Sequence, residues 1–117
     1  MPNKLKTPTQ IEVPKFKQRV RLIRPLYTDN GTDSMYFGVG AIAVVEEINI
    51  HEEQGVCIGI DFDKKQETED LTKQIEAFIE LNNGDNRYYF YDDCTANINK
   101  MDIGGLLEFH MCCDFIE

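Results

Sequence analysis

Hydrophobic positions in this chain recur mostly at every second residue, in short runs parted by turn-forming residues, and that period predicts strands. In residues 15–22, Phe16, Val20 and Leu22 fall on one side and Lys17, Arg19 and Arg21 on the other. This reads as a half-buried strand with a basic outer face. Residues 28–35 are turn chemistry centred on Asn30-Gly31. Residues 36–50 are rich in β-branched side chains and predict one long bent strand, with Gly38 and Gly40 permitting the bend. A loop at 51–55 returns the chain into a second strand over 56–63, which makes a hairpin.

The next segment satisfies two periods. Leu71, Ile75, Phe78 and Ile79 suit a helix, whereas Ile75, Ala77, Ile79 and Leu81 suit a strand. Asn83-Gly84, set before Arg87-Tyr88-Tyr89-Phe90-Tyr91, is a strong hairpin signal and favours a strand at 75–81, with a short helix near 68–82 as the alternative. Residues 95–103 and 106–111 read as two further short strands around a turn at 101–105. Pro2, Pro8 and Pro14 make residues 1–14 an extended arm, so the folded domain is expected over 15–117. Five to seven short strands with glycine at the bends predict a mainly β fold, a small barrel whose closure removes exposed edges.

Three runs occur in the order found in SH3-like barrels of the CAP-Gly and Tudor kinds: Gly40-Ala41-Ile42-Ala43-Val44-Val45, Gly59-Ile60-Asp61-Phe62-Asp63, and Asn83-Gly84-Asp85-Asn86-Arg87-Tyr88-Tyr89-Phe90. The chain resembles those families over about residues 38–109. The resemblance implies an SH3-like barrel, a binding loop near Asn83, Asp85 and Arg87, and aromatic contacts from Tyr88, Tyr89 and Tyr91. The loop lacks the lysine of the CAP-Gly pattern, and strand alternation sends only half of the aromatic run to either face.

Composition is that of an ordinary globular chain, 42% apolar and 28% charged over 117 residues. No apolar run is long enough to span a membrane and no leader pattern opens the sequence, so a cytoplasmic protein with reduced cysteines is expected. The net charge of −9 is unevenly spread: residues 1–27 hold seven bases against Glu12, and residues 28–117 hold twenty acids against five bases. Direct nucleic-acid binding is disfavoured, because it draws affinity from phosphate neutralisation by Lys and Arg. A protein partner with a basic surface suits the acidic body better, and a homodimer stays open.

Candidate chemistry is sparse. Two histidines and Ser34 offer few routes to a nucleophile with a base, so no catalytic residue is assigned and no enzyme is expected. Asp61, Asp63, Asp92 and Asp93 read as solvated acids, and Cys94, His110, Cys112 and Cys113 lack a zinc-type spacing, so no metal or cofactor is expected. Cys57 reads as a small core residue. The stripe Lys15, Lys17, Arg19 and Arg21 is expected to pair with the chain's own carboxylates. Binding is expected from Tyr88, Tyr89, Tyr91, Asn83, Asp85 and Arg87, and from the paired acids Glu46, Glu47, Glu52, Glu53, Asp92 and Asp93. Two functions fit. One is a small regulatory or inhibitory protein-binding module using acidic surface and exposed aromatics; the other is an acidic mimic of a nucleic-acid backbone that blocks a DNA- or RNA-binding protein.

Overall fold

A computed structural model describes residues 12–51, 55–91 and 104–116. Strands run at Arg19–Leu22 (β1), Leu26–Asp29 (β2), Ser34–Phe37 (β3), Ile42–His51 (β4), Gly55–Phe62 (β5), Arg87–Phe90 (β6) and Cys113–Ile116 (β7). Helices occupy Glu69–Leu81 (α1) and Gly104–Cys112 (α2). The described residues are thus mainly β. Five strands form one antiparallel sheet in the order β6-β5-β4-β1-β7, and β2 and β3 form a separate hairpin.

The β4–β5 hairpin is the long pair that the β-branched runs predict. A bulge shifts its register between Val45 and Glu47. One unpaired residue reverses the alternation, so Ala43 and Val45 face inward before it and Ile48 after it, while Glu46 and Glu47 both stay off the core. The inner face of the sheet carries Val20, Leu22, Val45, Ile58, Ile60, Phe62 and Phe90, all essentially buried. Ile75 and Phe78 of α1, Leu106 and Phe109 of α2, and Leu26 and Phe37 of the β2–β3 hairpin join them in one core. Phe37 stacks on Phe78 at 4.4 Å, and Phe62 meets both rings edge-on at 5.6 Å.

The expected strand at 75–81 is helical. Thr68 caps the helix by accepting from the Leu71 amide at 3.1 Å, with Glu69 and Asp70 in the first turn. Ile75 and Phe78 are buried with Leu71 and Ile79 beside them, whereas Ala77, which a strand would bury, is exposed. The Asn-Gly pair still supplies two left-handed residues, Asn83 at φ 59° and Gly84 at φ 89°. They end the helix, with the Gly84 amide donating to Ile79 at 2.8 Å, where a hairpin had been expected.

Other expectations change for equally local reasons. The first strand starts at Arg19, because Lys17 sits at φ 74° in a turn closed by the Gln18 amide on the Lys15 carbonyl; Phe16 is left 59% exposed. The run 36–50 is two strands, since Gly38 at φ 101° and Gly40 at φ 90° turn the chain between β3 and β4. Residues 106–111 form a helix whose Leu106, Phe109 and Cys112 share the buried side. The expected strand at 95–103 and residues 1–11 of the arm lie outside the described residues. Among the described residues no pairing joins β6 to β7, and the helices and small hairpin cover the inner face of the sheet.

Two polar or small residues fix how the layers meet. Buried Gln66 accepts from the Ile42 amide at 2.7 Å and donates to the carbonyls of Ile42 at 2.9 Å and Asp63 at 2.6 Å, tying the loop before α1 to β4. Gly105 lets α2 touch the sheet backbone: a Cβ there would stand 2.6 Å from the Val56 carbonyl oxygen and 2.7 Å from the Tyr91 Cα. Backbone atoms have no rotamer to yield, so Gly105→Ala is expected to cost about 2–3 kcal/mol in urea unfolding, against no more than about 0.5 kcal/mol for Leu107→Ala on the exposed side of the same helix. Equal midpoints for the two variants would refute this packing.

Candidate functional site

The outer face of the large sheet gathers part of the predicted set. Arg87 on β6 and Asp61 on β5 are directly paired in register, and β4 brings Glu47 alongside. The Arg87 guanidinium donates to both oxygens of Asp61, at 2.5 and 3.1 Å, and through Nη1 to Glu47 at 2.8 Å. Tyr89 donates its hydroxyl proton to the same Glu47 oxygen at 3.0 Å, and Asn49 donates to the other at 2.5 Å. Gly59 forms the floor: a Cβ there would crowd Glu47, Tyr89 and Arg87 at 3.1–3.2 Å. The Asp61 carboxylate holds the Arg87 pKa above even its ordinary value, so the guanidinium is a permanent cation.

The basic stripe completes the same pattern. Lys17 donates to both Glu46 oxygens at 2.8 and 2.9 Å, Arg19 lies 3.6 Å from Asp63, and Arg21 reaches Glu67 at 2.9 and 3.2 Å and the Gly40 carbonyl at 3.0 Å. Arg21 holds the Glu67 carboxyl below its usual range. Lys15 is exposed. The sheet face is therefore close to charge balance, with four bases set among Glu46, Glu47, Asp61, Asp63 and Glu67.

The other predicted residues scatter. Tyr88 points inward among Phe37, Phe78 and Phe90, at ring distances of 6.3, 6.4 and 5.1 Å. It is part of the core's rim, and burial pushes its phenol up to about 12. Tyr91 lies past the end of β6 and is 63% exposed. Asn83 serves the helix exit, and Asp85 accepts from the Arg87 amide at 3.0 Å. Cys57 is not a core residue: it is half-buried on the outer face, opposite Asn49, because the inward positions of β5 are Val56 and Ile58. Glu52, Glu53, Asp92 and Asp93 lie outside the described residues.

A second surface went unpredicted. The β2–β3 hairpin pairs Tyr27 with Tyr36 and Asp29 with Ser34 on its outer side, while Leu26 and Phe37 anchor its inner side. The tyrosine rings pack on each other with centroids 5.0 Å apart, yet they remain 45% and 71% exposed. Beside the hairpin tip, Asn30 and Asp33 face Ala77, Glu80 and Leu81 of α1 across a shallow groove of about 490 Å³. Asp33, Glu76 and Glu80 are exposed, and the last turn of α1 holds no basic residue. The signal was present in the sequence: a four-residue turn over Asn30 to Asp33 places Tyr27 and Tyr36 across from each other once both flanks are strands. A further concavity of about 440 Å³ runs from Lys64 to Thr72 and Glu76, with mixed charge on its walls.

Arg87→Met would leave Asp61 and Glu47 facing each other without a cation, and is expected to destabilise by about 1–2 kcal/mol. A double-mutant cycle with Asp61→Asn should return a coupling near ~1 kcal/mol; additive losses would show that the network is ornamental. The raised Tyr88 pKa makes its contribution to stability fully present below the ordinary tyrosine value of 10.0 and lost as pH rises through about 12. Ultraviolet titration should show one of the five tyrosines ionising last, and Tyr88→Phe should remove that step and flatten the alkaline loss of stability. Comparison with protein-family models, with curated proteins and with solved structures finds no match to this chain.

Proposed function

We propose that this chain is a non-enzymatic protein-binding module, a small regulatory or inhibitory protein that engages a basic surface of its partner through the end formed by the β2–β3 hairpin and α1. The observation that carries this reading is where the negative charge goes unanswered. Carboxylates on the sheet face are bonded to Lys17, Arg19, Arg21 and Arg87. At the other surface the ion pair formed among the described residues is Lys73 with Glu69 at 3.9 Å, near the start of α1. Asp33 and Glu80 stand at its far end, where the helix dipole is itself negative. Such an end repels acids and attracts bases, and the exposed tyrosines beside it supply area that costs little entropy to order.

Nucleic-acid mimicry draws less support. Glu46 and Glu47, which head the acidic pairs, are tied to Lys17 and Arg87. What supports an SH3-like kinship is confined to the β4–β5–β6 meander, which carries the three resembling runs in order. A cytoplasmic setting belongs to the same proposal, and it is supported only by Cys57, Cys112 and Cys113 being free thiols among the described residues. No described helix is long and apolar enough to cross a membrane.

Capture of a basic protein on the immobilised chain, from an extract of its native cell, is expected to be lost with the charge reversals Asp33→Lys and Glu80→Lys together. The variant Lys15→Ala should retain it. Undiminished capture by the reversed chain overturns the assignment of this end. Excess duplex DNA should leave the captured partner in place; its release by DNA would favour mimicry instead.

A further inference from the structure

Resting on the reading above, we infer that the outer face of the β2–β3 hairpin is a docking site for an arginine side chain of the partner, held by Tyr27, Tyr36 and Asp29. Alternation along two four-residue strands puts these three side chains on one side, opposite the buried Leu26 and Phe37. Tyr36 leaves most of its ring open to water, and its packing against Tyr27 fixes its tilt at 52°. An exposed aromatic pair that is already ordered presents a π-face without further loss of rotamer freedom.

Asp29 makes this face selective for a cation. One of its oxygens accepts from the Gly31 amide at 2.6 Å and the other from the Tyr27 hydroxyl at 3.2 Å. The carboxylate is thereby held at the rim of the tyrosine pair with acceptor capacity to spare. Among the described residues no Lys or Arg lies in ion-pair distance of it. Asp33 near the tip adds negative potential.

Arginine fits this arrangement better than lysine. A guanidinium is planar and weakly hydrated, so it can lie on the ring of Tyr36 while its edge donates to Asp29. An ammonium is a compact, strongly hydrated point charge that gains from the acids but little from the ring. The discriminating quantity is therefore the preference between the two cations, since general attraction to an acidic protein would draw both.

The test uses the full chain labelled with ¹⁵N and two probes, end-capped hexa-arginine and end-capped hexa-lysine, titrated at one salt concentration. Hexa-arginine is expected to bind about fivefold more tightly, with the largest amide shifts at Tyr27, Asp29 and Tyr36. Tyr36→Ala, at a position the core does not need, should erase the preference and leave hexa-lysine binding unchanged; Tyr36→Phe should keep it. Asp29→Asn should weaken hexa-arginine severalfold. Equal binding of the two peptides, or shifts centred on the sheet face, overturns the inference. Because partner capture is read through Asp33 and Glu80, lost arginine preference with intact capture would sink this site alone. Arginine preference at the hairpin without any captured partner would sink the functional reading instead.

Discussion

Three phenylalanines decide how the parts of this chain face one another. Phe37 comes from the small hairpin, Phe62 from the large sheet and Phe78 from α1, and their rings meet within 4.4–5.6 Å. Stacked and edge-on contacts of this kind add to the burial of large apolar area, so the junction is strong and also directional. Once Phe37 is locked between helix and sheet, the hairpin must show its other side to water. Once Phe78 is locked, the acids of α1 must lie opposite. The exposed tyrosines and the uncompensated carboxylates are thus consequences of how the core is closed.

The sheet's two faces solve different problems. The inner face is covered by two helices and the hairpin, whereas the outer face has no layer over it among the described residues and is closed by ion pairs laid across strands. The pairs of Arg87 are half-buried and bidentate at Asp61, which places them above the weakest class of surface bridges, whereas Arg21 and Glu67 form a bidentate but exposed pair. The bulge after Val45 makes this possible by turning Glu46 and Glu47 outward together, one to Lys17 and one to Arg87. The carboxylates paired on the sheet are in this way separated from those at the hairpin and the end of α1, to which the proposed function assigns a partner. Acids toward the C-terminal end of a helix oppose its dipole, by a few tenths of a kcal/mol each, and no basic residue in that turn relieves them. That opposition is one ground on which a cationic partner is proposed.

The sequence made the long β4–β5 hairpin, the strand at 87–90 and the Asn30-Gly31 turn readable, because each rests on period-2 burial or on turn chemistry within a few residues. It misled wherever one local signal serves two structures. Asn83-Gly84 offers left-handed backbone, which a two-residue hairpin and a helix exit both need; Thr68, three residues before Leu71, was the cue that should have tipped the choice toward a capped helix. Leu106, Phe109 and Cys112 repeat at three residues, but neighbouring Leu107 and Met111 blurred the period. Of the predicted site residues, Glu47, Arg87 and Tyr89 do come together, yet as a structural clasp. Of the tyrosines that stand free, Tyr27 falls between the expected strand at 15–22 and the turn at 28–35, and Tyr36 lies within the longer strand expected at 36–50.

A four-residue strand that alternates can serve two ends without conflict. In β2 and β3, Leu26 and Phe37 belong to the core and Tyr27 and Tyr36 do not, so the outward pair can be altered with little effect on the inward one. A free two-stranded hairpin is marginal in water, and this one is ordered only because its inner face is spoken for by α1 and Phe62. The recognition face therefore inherits its rigidity from a core it does not touch. An incoming side chain meets rings and a carboxylate already in place, and the entropy of arranging them has been met by folding, before any partner arrives.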